Sequence, residues 1–150
     1  MDDQRGKFAN EWFVGGLVVG EGSFFIAKTK FHGRYTQYRP MFRLSMQDEE
    51  TMAFVAQAFK DWGLAFYWYT DQGKMAKRPC YHIFVNGHKR VLRVLDKLEP
   101  YLMGAKAHSA SLVRQFIEER AKSPMNTPYS EEVLAIYEQV KAANGSRGVR

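Results

Sequence analysis

Glu21 is an acid set in surroundings that point to chemistry. It closes the run W-F-V-G-G-L-V-V-G-E-G-S over residues 12–23, where Gly15, Gly16 and Gly20 interrupt an apolar stretch that otherwise reads as a buried helix. Each glycine in a helix interior costs about 1 kcal/mol relative to alanine. Three are kept only if something must come very close to the backbone. Gly16 and Gly20 stand four apart and share one face, which allows near backbone contact between helices. An acid at a helix C-terminus meets partial negative charge and needs a cation nearby. A close-packing helix with an acid at its foot therefore suggests a symmetric interface with a metal at its base. An ordinary core helix ending in a solvated turn is the other reading. The apolar run is bracketed by Glu11 and Glu21 and is too short to span a membrane.

The next feature is a distribution of charge. Between Gly22 and Gln47 there is no Asp or Glu, in a chain with 16 acids among 150 residues, while Lys28, Lys30, Arg34, Arg39 and Arg43 are all present. Strand alternation puts Arg39, Met41, Arg43 and Ser45 on one side and Pro40, Phe42, Leu44 and Met46 on the other. The first set makes a cationic face and the second a core. In a later strand Tyr81, Ile83 and Val85 face the core, leaving Arg78, Cys80 and His82 on the open side. A two-stranded ribbon fits the DNA major groove, where arginine pairs with guanine in bidentate fashion. A solvated sheet face is the plain alternative.

These features need a frame to hold them. A net charge of +6 points to a polyanionic partner, and 45% hydrophobic residues point to a globular chain. The single cysteine, Cys80, excludes an internal disulfide framework and argues against secretion. His32, His82, His88 and His108 are scattered, with no zinc-like spacing. The chain reads as one domain over residues 1–150, with a core at about 10–122, a C-terminal helix at about 128–143 and a tail at 144–150. Asn10 is the expected N-cap of a first helix running to about Gly20. Strands follow at 24–31 and 35–46 around the tip His32-Gly33-Arg34. Asp48 caps a second helix that Gly63 stops. Strands at 65–70 and 78–85 flank the loop Asp71-Gln72-Gly73-Lys74. Helices at 88–98 and 107–122 come next, and Thr127-Pro128 opens a fifth. The order αββαββα is α+β, with two hairpins able to join in one four-stranded antiparallel sheet.

Val14-Gly15-Gly16-Leu17-Val18-Val19-Gly20-Glu21-Gly22, with the lead-in Trp12-Phe13 and the trailing Ser23-Phe24, resembles the signature helix of the LAGLIDADG homing endonucleases. Leu98-Glu99-Pro100-Tyr101-Leu102 and the helix after it resemble the second landmark of that family, so the likeness runs over roughly residues 12–117. It implies a saddle-shaped sheet laid along DNA and a helix packed on its symmetry mate through Trp12, Phe13, Gly16 and Gly20. One signature motif implies a homodimer. The acid at the helix end, Glu21, is implied to bind a divalent metal with the Gly20 carbonyl; Mg2+ or another hard cation suits such oxygen ligands. Arg39, Arg43 and Gln37 are the expected base readers. Lys28 and Lys30 lie on the opposite parity to Ala27 and Thr29 and are expected to reach phosphates from the flank. Phe66, Trp68 and Thr70 align with the DNA side of the third strand, where the aromatics either touch thymine methyl groups or belong to the core.

The resemblance implies a metal-dependent, site-specific double-strand DNA endonuclease that hydrolyses phosphodiester bonds of a long, roughly palindromic target and spreads its own intron or intein. Such an enzyme is expected inside a cell, in a bacterial cytoplasm or an organelle, with no membrane partner. Three positions depart from the family pattern. Val19 stands where a second acid is common. Met46 and Gln47 stand where a glutamine and then a lysine are usual. Ala105 replaces the first of two lysines, leaving Lys106. Gln47 and Lys106 are the remaining candidates, beside Glu21, for polarising solvent in catalysis. Met46 and Ala105 favour the alternative, a non-cleaving nucleic-acid-binding protein on the same scaffold, such as an RNA-splicing maturase or a DNA-binding factor.

Overall fold

The computed structural model describes residues 4–31, 33, 35–72 and 78–145, with side chains from Asn10 onward. Arg34, His32 and the tip Gly73-Lys74 fall outside the described residues, as does the tail beyond Gly145. Helix α1 (Gln4–Glu21) passes without a loop into strand β1 (Gly22–Phe31), which turns into β2 (Tyr35–Met46). Helix α2 (Glu49–Asp61), strands β3 (Tyr67–Asp71) and β4 (Cys80–Asn86) and helix α3 (His88–Leu98) follow. A 3-10 turn (Glu99–Tyr101) then leads to α4 (Gly104–Arg120) and α5 (Glu131–Ala143). The four strands form one antiparallel sheet in the order β1-β2-β4-β3.

Alternation builds the core. Phe24 and Ile26 of β1, Phe42 and Leu44 of β2, and Ile83 and Val85 of β4 are buried on one side of the sheet. Val14 and Val18 of α1, Met52, Val55 and Phe59 of α2, and Val91, Leu95 and Leu98 of α3 pack into the same core. Leu112, Val113, Phe116 and Ile117 of α4 and Val133 and Val140 of α5 complete it. Among the described residues, no helix is long and apolar enough to cross a membrane.

Several local expectations hold. Asp48 caps α2, its carboxylate accepting from the Thr51 amide at 3.1 Å. Gly63 follows that helix at φ +71°, a left-handed conformation that glycine adopts without strain. Helix α3 covers residues 88–98 as the apolar spacing requires.

Other boundaries move. Asn10 is no cap but an exposed residue inside α1, because the residues before it are compatible with helix and nothing stops the turn. The longer helix is anchored by Glu11, which is buried and paired with Lys97 Nζ at 3.0 Å; Lys97 in turn lies over the Trp62 ring at 5.1 Å. Strand β3 starts at Tyr67 and β4 at Cys80, so Arg78 precedes its strand. Helix α4 begins three residues early, at Gly104, whose φ of +65° suits glycine. Thr127 does not open α5. Its hydroxyl donates to the Pro124 carbonyl at 2.6 Å and its own carbonyl accepts from Arg120 at 2.9 Å, which holds it in a turn. Ser130 is the cap instead, accepting from the Val133 amide at 3.2 Å.

Candidate nucleic-acid interface and metal-binding foot

The glycines of α1 serve two different purposes. A Cβ on Gly15 would sit 2.7 Å from Tyr101 Cβ and 2.9 Å from the Tyr101 carbonyl oxygen, so Gly15 is required by packing inside the chain. Among the described residues, a Cβ on Gly16 or Gly20 would meet nothing within 4 Å. Those two glycines lie exposed, as do Trp12 and Phe13, which are 59% and 48% accessible. Trp12 packs edge-on against Tyr101 and Phe13 against the exposed Phe54. The bare glycine face therefore carries an aromatic rim.

Glu21 is the last residue of α1 and is exposed. It lines an open cleft with Met46, Gln47, Asp48, Glu49 and Arg78. The strand pairing creates this cleft, because Gly22 stands opposite Leu44 and brings the start of β1 beside the end of β2. Of the other two acids, Asp48 is committed to the Thr51 amide and Glu49 accepts from the Tyr81 hydroxyl at 3.1 Å. Desolvation first, and the Glu49 carboxylate second, hold the Tyr81 phenol above its ordinary pKa, so it remains a donor. No cation lies in the last turn of α1 itself. The cation comes from α4: Lys106 Nζ donates to the carbonyl oxygen of Gly22. Lys106 and Gln47 are thus both brought to the foot of α1, one through α4 and the other through the end of β2.

The donors at this foot suit a hard divalent cation. They are an exposed carboxylate and the carbonyls of a last helical turn, which lack intrahelical partners. Among the described residues, no group of three or more Asp, Glu, His or Cys side chains could hold an ion. Asp48 and Glu49 each already accept a hydrogen bond, which leaves Glu21 as the candidate carboxylate of this foot.

The open side of the sheet carries Ser23, Phe25, Ala27 and Thr29 from β1, paired with Arg43, Met41, Arg39 and Gln37 of β2. Arg43 is exposed, with its guanidinium 5.6 Å from the Phe25 ring. Arg39 and Gln37 share its parity. Lys28 and Lys30 lie on the other parity and are exposed beyond the core; Lys28 stands 6.0 Å over the Tyr38 ring. Trp68 does not face the open side. It pairs with Ile83, on the helix-covered side, and its ring leans on Tyr81. Tyr67, Tyr69 and Asp71 take the open positions of β3 instead, since the pairing register of a hairpin decides which parity faces out. His82 is on the open side, but only 12% of its side chain is accessible. Its ring stacks on Tyr69 and bridges Ser45 and Asp71, which ends β3 where the turn residues after it predict a loop.

No protein-family model and no curated protein matches this sequence. Solved structures do resemble it. The homing endonuclease I-CvuI in complex with the I-CreI target is 19% identical with a TM-score of 0.65, over 93% of this chain and 86% of that one. The LAGLIDADG homing endonuclease I-GzeII in complex with its DNA target is 18% identical with a TM-score of 0.66, over 91% of this chain. I-LtrWI bound to target DNA is 20% identical with a TM-score of 0.68, over 89% of this chain. The chain spans 44% of the length of each of the last two. Identities at this level speak for architecture, and the architecture of this chain is the LAGLIDADG homing-endonuclease fold.

Proposed function

We propose that this chain is a site-specific double-strand DNA endonuclease acting as a homodimer with Mg2+ or a similar hard divalent cation. The observation that carries the reading is the foot of α1. Glu21 stands exposed there, below a glycine face uncovered by any described residue, beside a cationic sheet side and a lysine delivered from α4. Two copies packed through Gly16 and Gly20 bring two Glu21 carboxylates together on the twofold axis. Trp12 and Phe13 seal the upper part of that interface.

When bound, a divalent cation at such a site activates water and offsets charge on the phosphate and on the leaving oxygen. The chain's own residues do the rest. Glu21 and the Gly20 carbonyl bind and orient. Lys106 places positive charge at the helix foot, where it offsets the carboxylate and the dipole. Gln47 is placed to hydrogen-bond solvent in the cleft. Arg43, Arg39 and Gln37 lie along the groove and choose the sequence, while Lys28, Lys30 and Arg78 hold phosphates. The biological role that follows is spread of the intron or intein encoding the chain, inside a bacterial cytoplasm or an organelle.

Met46 and Ala105 support a second reading, a binder on the same scaffold that does not cut, because a methionine lines the cleft and an alanine precedes Lys106 where the resemblance implies polar side chains. One experiment separates the two. Duplexes are selected from a randomised library by the protein without metal and then incubated with Mg2+. Cleavage of both strands by wild type and not by Glu21→Gln supports the nuclease. Selection of a defined sequence without cleavage by either supports the binder.

A further inference from the structure

Among the described residues, the open side of the sheet carries one carboxylate, Asp71, at the end of β3. An acid there works against a phosphate-bearing partner unless it meets a donor. Asp71 is built in rather than incidental. His82 Nε2 lies 3.0 Å from Asp71 Oδ2, and His82 Nδ1 lies 2.7 Å from Ser45 Oγ. The Tyr69 ring stacks on the imidazole at 4.3 Å and 14°. The chain Ser45–His82–Asp71 thus crosses β2, β4 and β3 in one line. Both ring nitrogens of His82 are occupied and its side chain is 12% accessible, against 58% for Asp71. His82 holds; Asp71 is presented.

We propose that Asp71 is a specificity-determining residue that accepts a hydrogen bond from the N4 amino group of a cytosine in the major groove. His82 and Ser45 act as its positioning residues. The inference rests on the DNA-binding reading above. A carboxylate has four lone-pair sites, so a bond from His82 leaves capacity for a second donor. Among the base edges in the major groove, guanine shows two acceptors and repels an acid. Adenine sets an N7 acceptor beside its amino group, and thymine shows an acceptor and a methyl. Cytosine alone offers an amino donor with no acceptor beside it.

The test is selection from a randomised-site library with wild type, Asp71→Ala, Asp71→Asn and His82→Phe. Asp71→Ala should lower the preference for cytosine at one position of each half-site by about fivefold to a hundredfold, leaving the positions read by Arg43 unchanged. Its binding to random-sequence DNA should be no weaker than that of wild type. Asp71→Asn should move the same position from cytosine toward adenine, whose N6 and N7 suit an amide. His82→Phe keeps a ring for Tyr69 but removes both bonds, and should erode preference at that position alone. Asp71 ends an edge strand and is largely solvent-facing, so far-UV spectra of its variants should match wild type. A wild-type profile that both Asp71 variants reproduce overturns the inference and leaves DNA binding standing. An Asp71-dependent position that is not cytosine overturns it also. If wild type selects no sequence, the DNA reading and this inference fall together.

Discussion

Lys106 and Gly22 are 84 positions apart in the chain, and the ammonium of the first donates to the main-chain carbonyl of the second. The bond ties the start of α4 to the junction of α1 and β1, where helix passes directly into strand. It also supplies positive charge to a helix end that carries an acid and no basic residue of its own. The residue before it, Ala105, lacks the side chain that the resemblance implies, so Lys106 stands alone of that pair.

Lys106→Met should therefore slow cleavage more than it weakens binding. The expected loss is about a hundredfold in single-turnover rate on the selected duplex, the size of one positioned polar group. Lys106→Arg should recover part of it. An unchanged rate for the methionine variant would remove Lys106 from the chemistry.

Glu21→Gln removes a charge and keeps the size of the side chain. Cleavage should be abolished while specific binding stays within about tenfold, roughly 1.4 kcal/mol. Binding is read by titration without metal and cutting with Mg2+. A variant that still cuts at near wild-type rate would show that Glu21 is not the metal ligand.

The two neighbouring glycines should respond in opposite ways. Gly15→Ala puts a methyl 2.9 Å from the Tyr101 carbonyl oxygen. The helix gains about 1 kcal/mol in propensity, but overpacking against backbone costs about 1–3 kcal/mol, so thermal stability should fall. At Gly16 a Cβ meets nothing within 4 Å among the described residues, so Gly16→Leu should leave the protomer folded while pushing the helix pair apart. Light scattering at micromolar concentration should then report a monomer, with cleavage lost. A dimeric, active Gly16→Leu variant refutes the interface.

Arg43 and Lys28 separate base reading from charge. Arg43→Ala should cost about 1–3 kcal/mol on the preferred site and relax one base pair in each half-site, in mirrored positions. Lys28→Ala should weaken binding to all sequences alike and reduce the salt slope by about one unit per lost phosphate contact. Relaxation on one side only, or an unchanged profile for Arg43→Ala, contradicts the assignment.

His88 predicts an acid weakness of the fold. Its ring stacks on Phe116 with centroids 6.1 Å apart, and its buried Nε2 has no hydrogen-bond partner among the described residues. Burial first, and the charge of Arg120 second, lower its pKa below the ordinary histidine value. The folded protein thus keeps His88 neutral at a pH where the unfolded chain has taken up a proton. Its contribution to stability is full above about pH 6.5 and is lost as pH falls through the lower folded value. His88→Gln should flatten the fall in Tm between pH 7 and pH 5. A variant curve parallel to wild type would rule this out.

What local chemistry decides was legible in the sequence. The Asp48 cap, the Gly63 stop, the bounds of α3 and the in-and-out alternation of β2 each depend on residues within a turn or a strand of one another. The single acid at the end of α1 and the acid-free cationic stretch after it were also on the surface of the sequence. What depended on partners distant in the chain was not. The burial of Glu11 against Lys97 pairs two helices far apart in sequence, and the start of α5 follows a turn in which Arg120 holds the Thr127 carbonyl. The face of Trp68 is decided by the register of β3 on β4, where a shift of one residue exchanges the two sides, and that register placed Tyr67, Tyr69 and Asp71 outward instead. Gly15, Gly16 and Gly20 look alike as letters. Only the tertiary structure divides them, because Tyr101 returns to cover the first while, among the described residues, nothing lies within 4 Å of a Cβ on the other two.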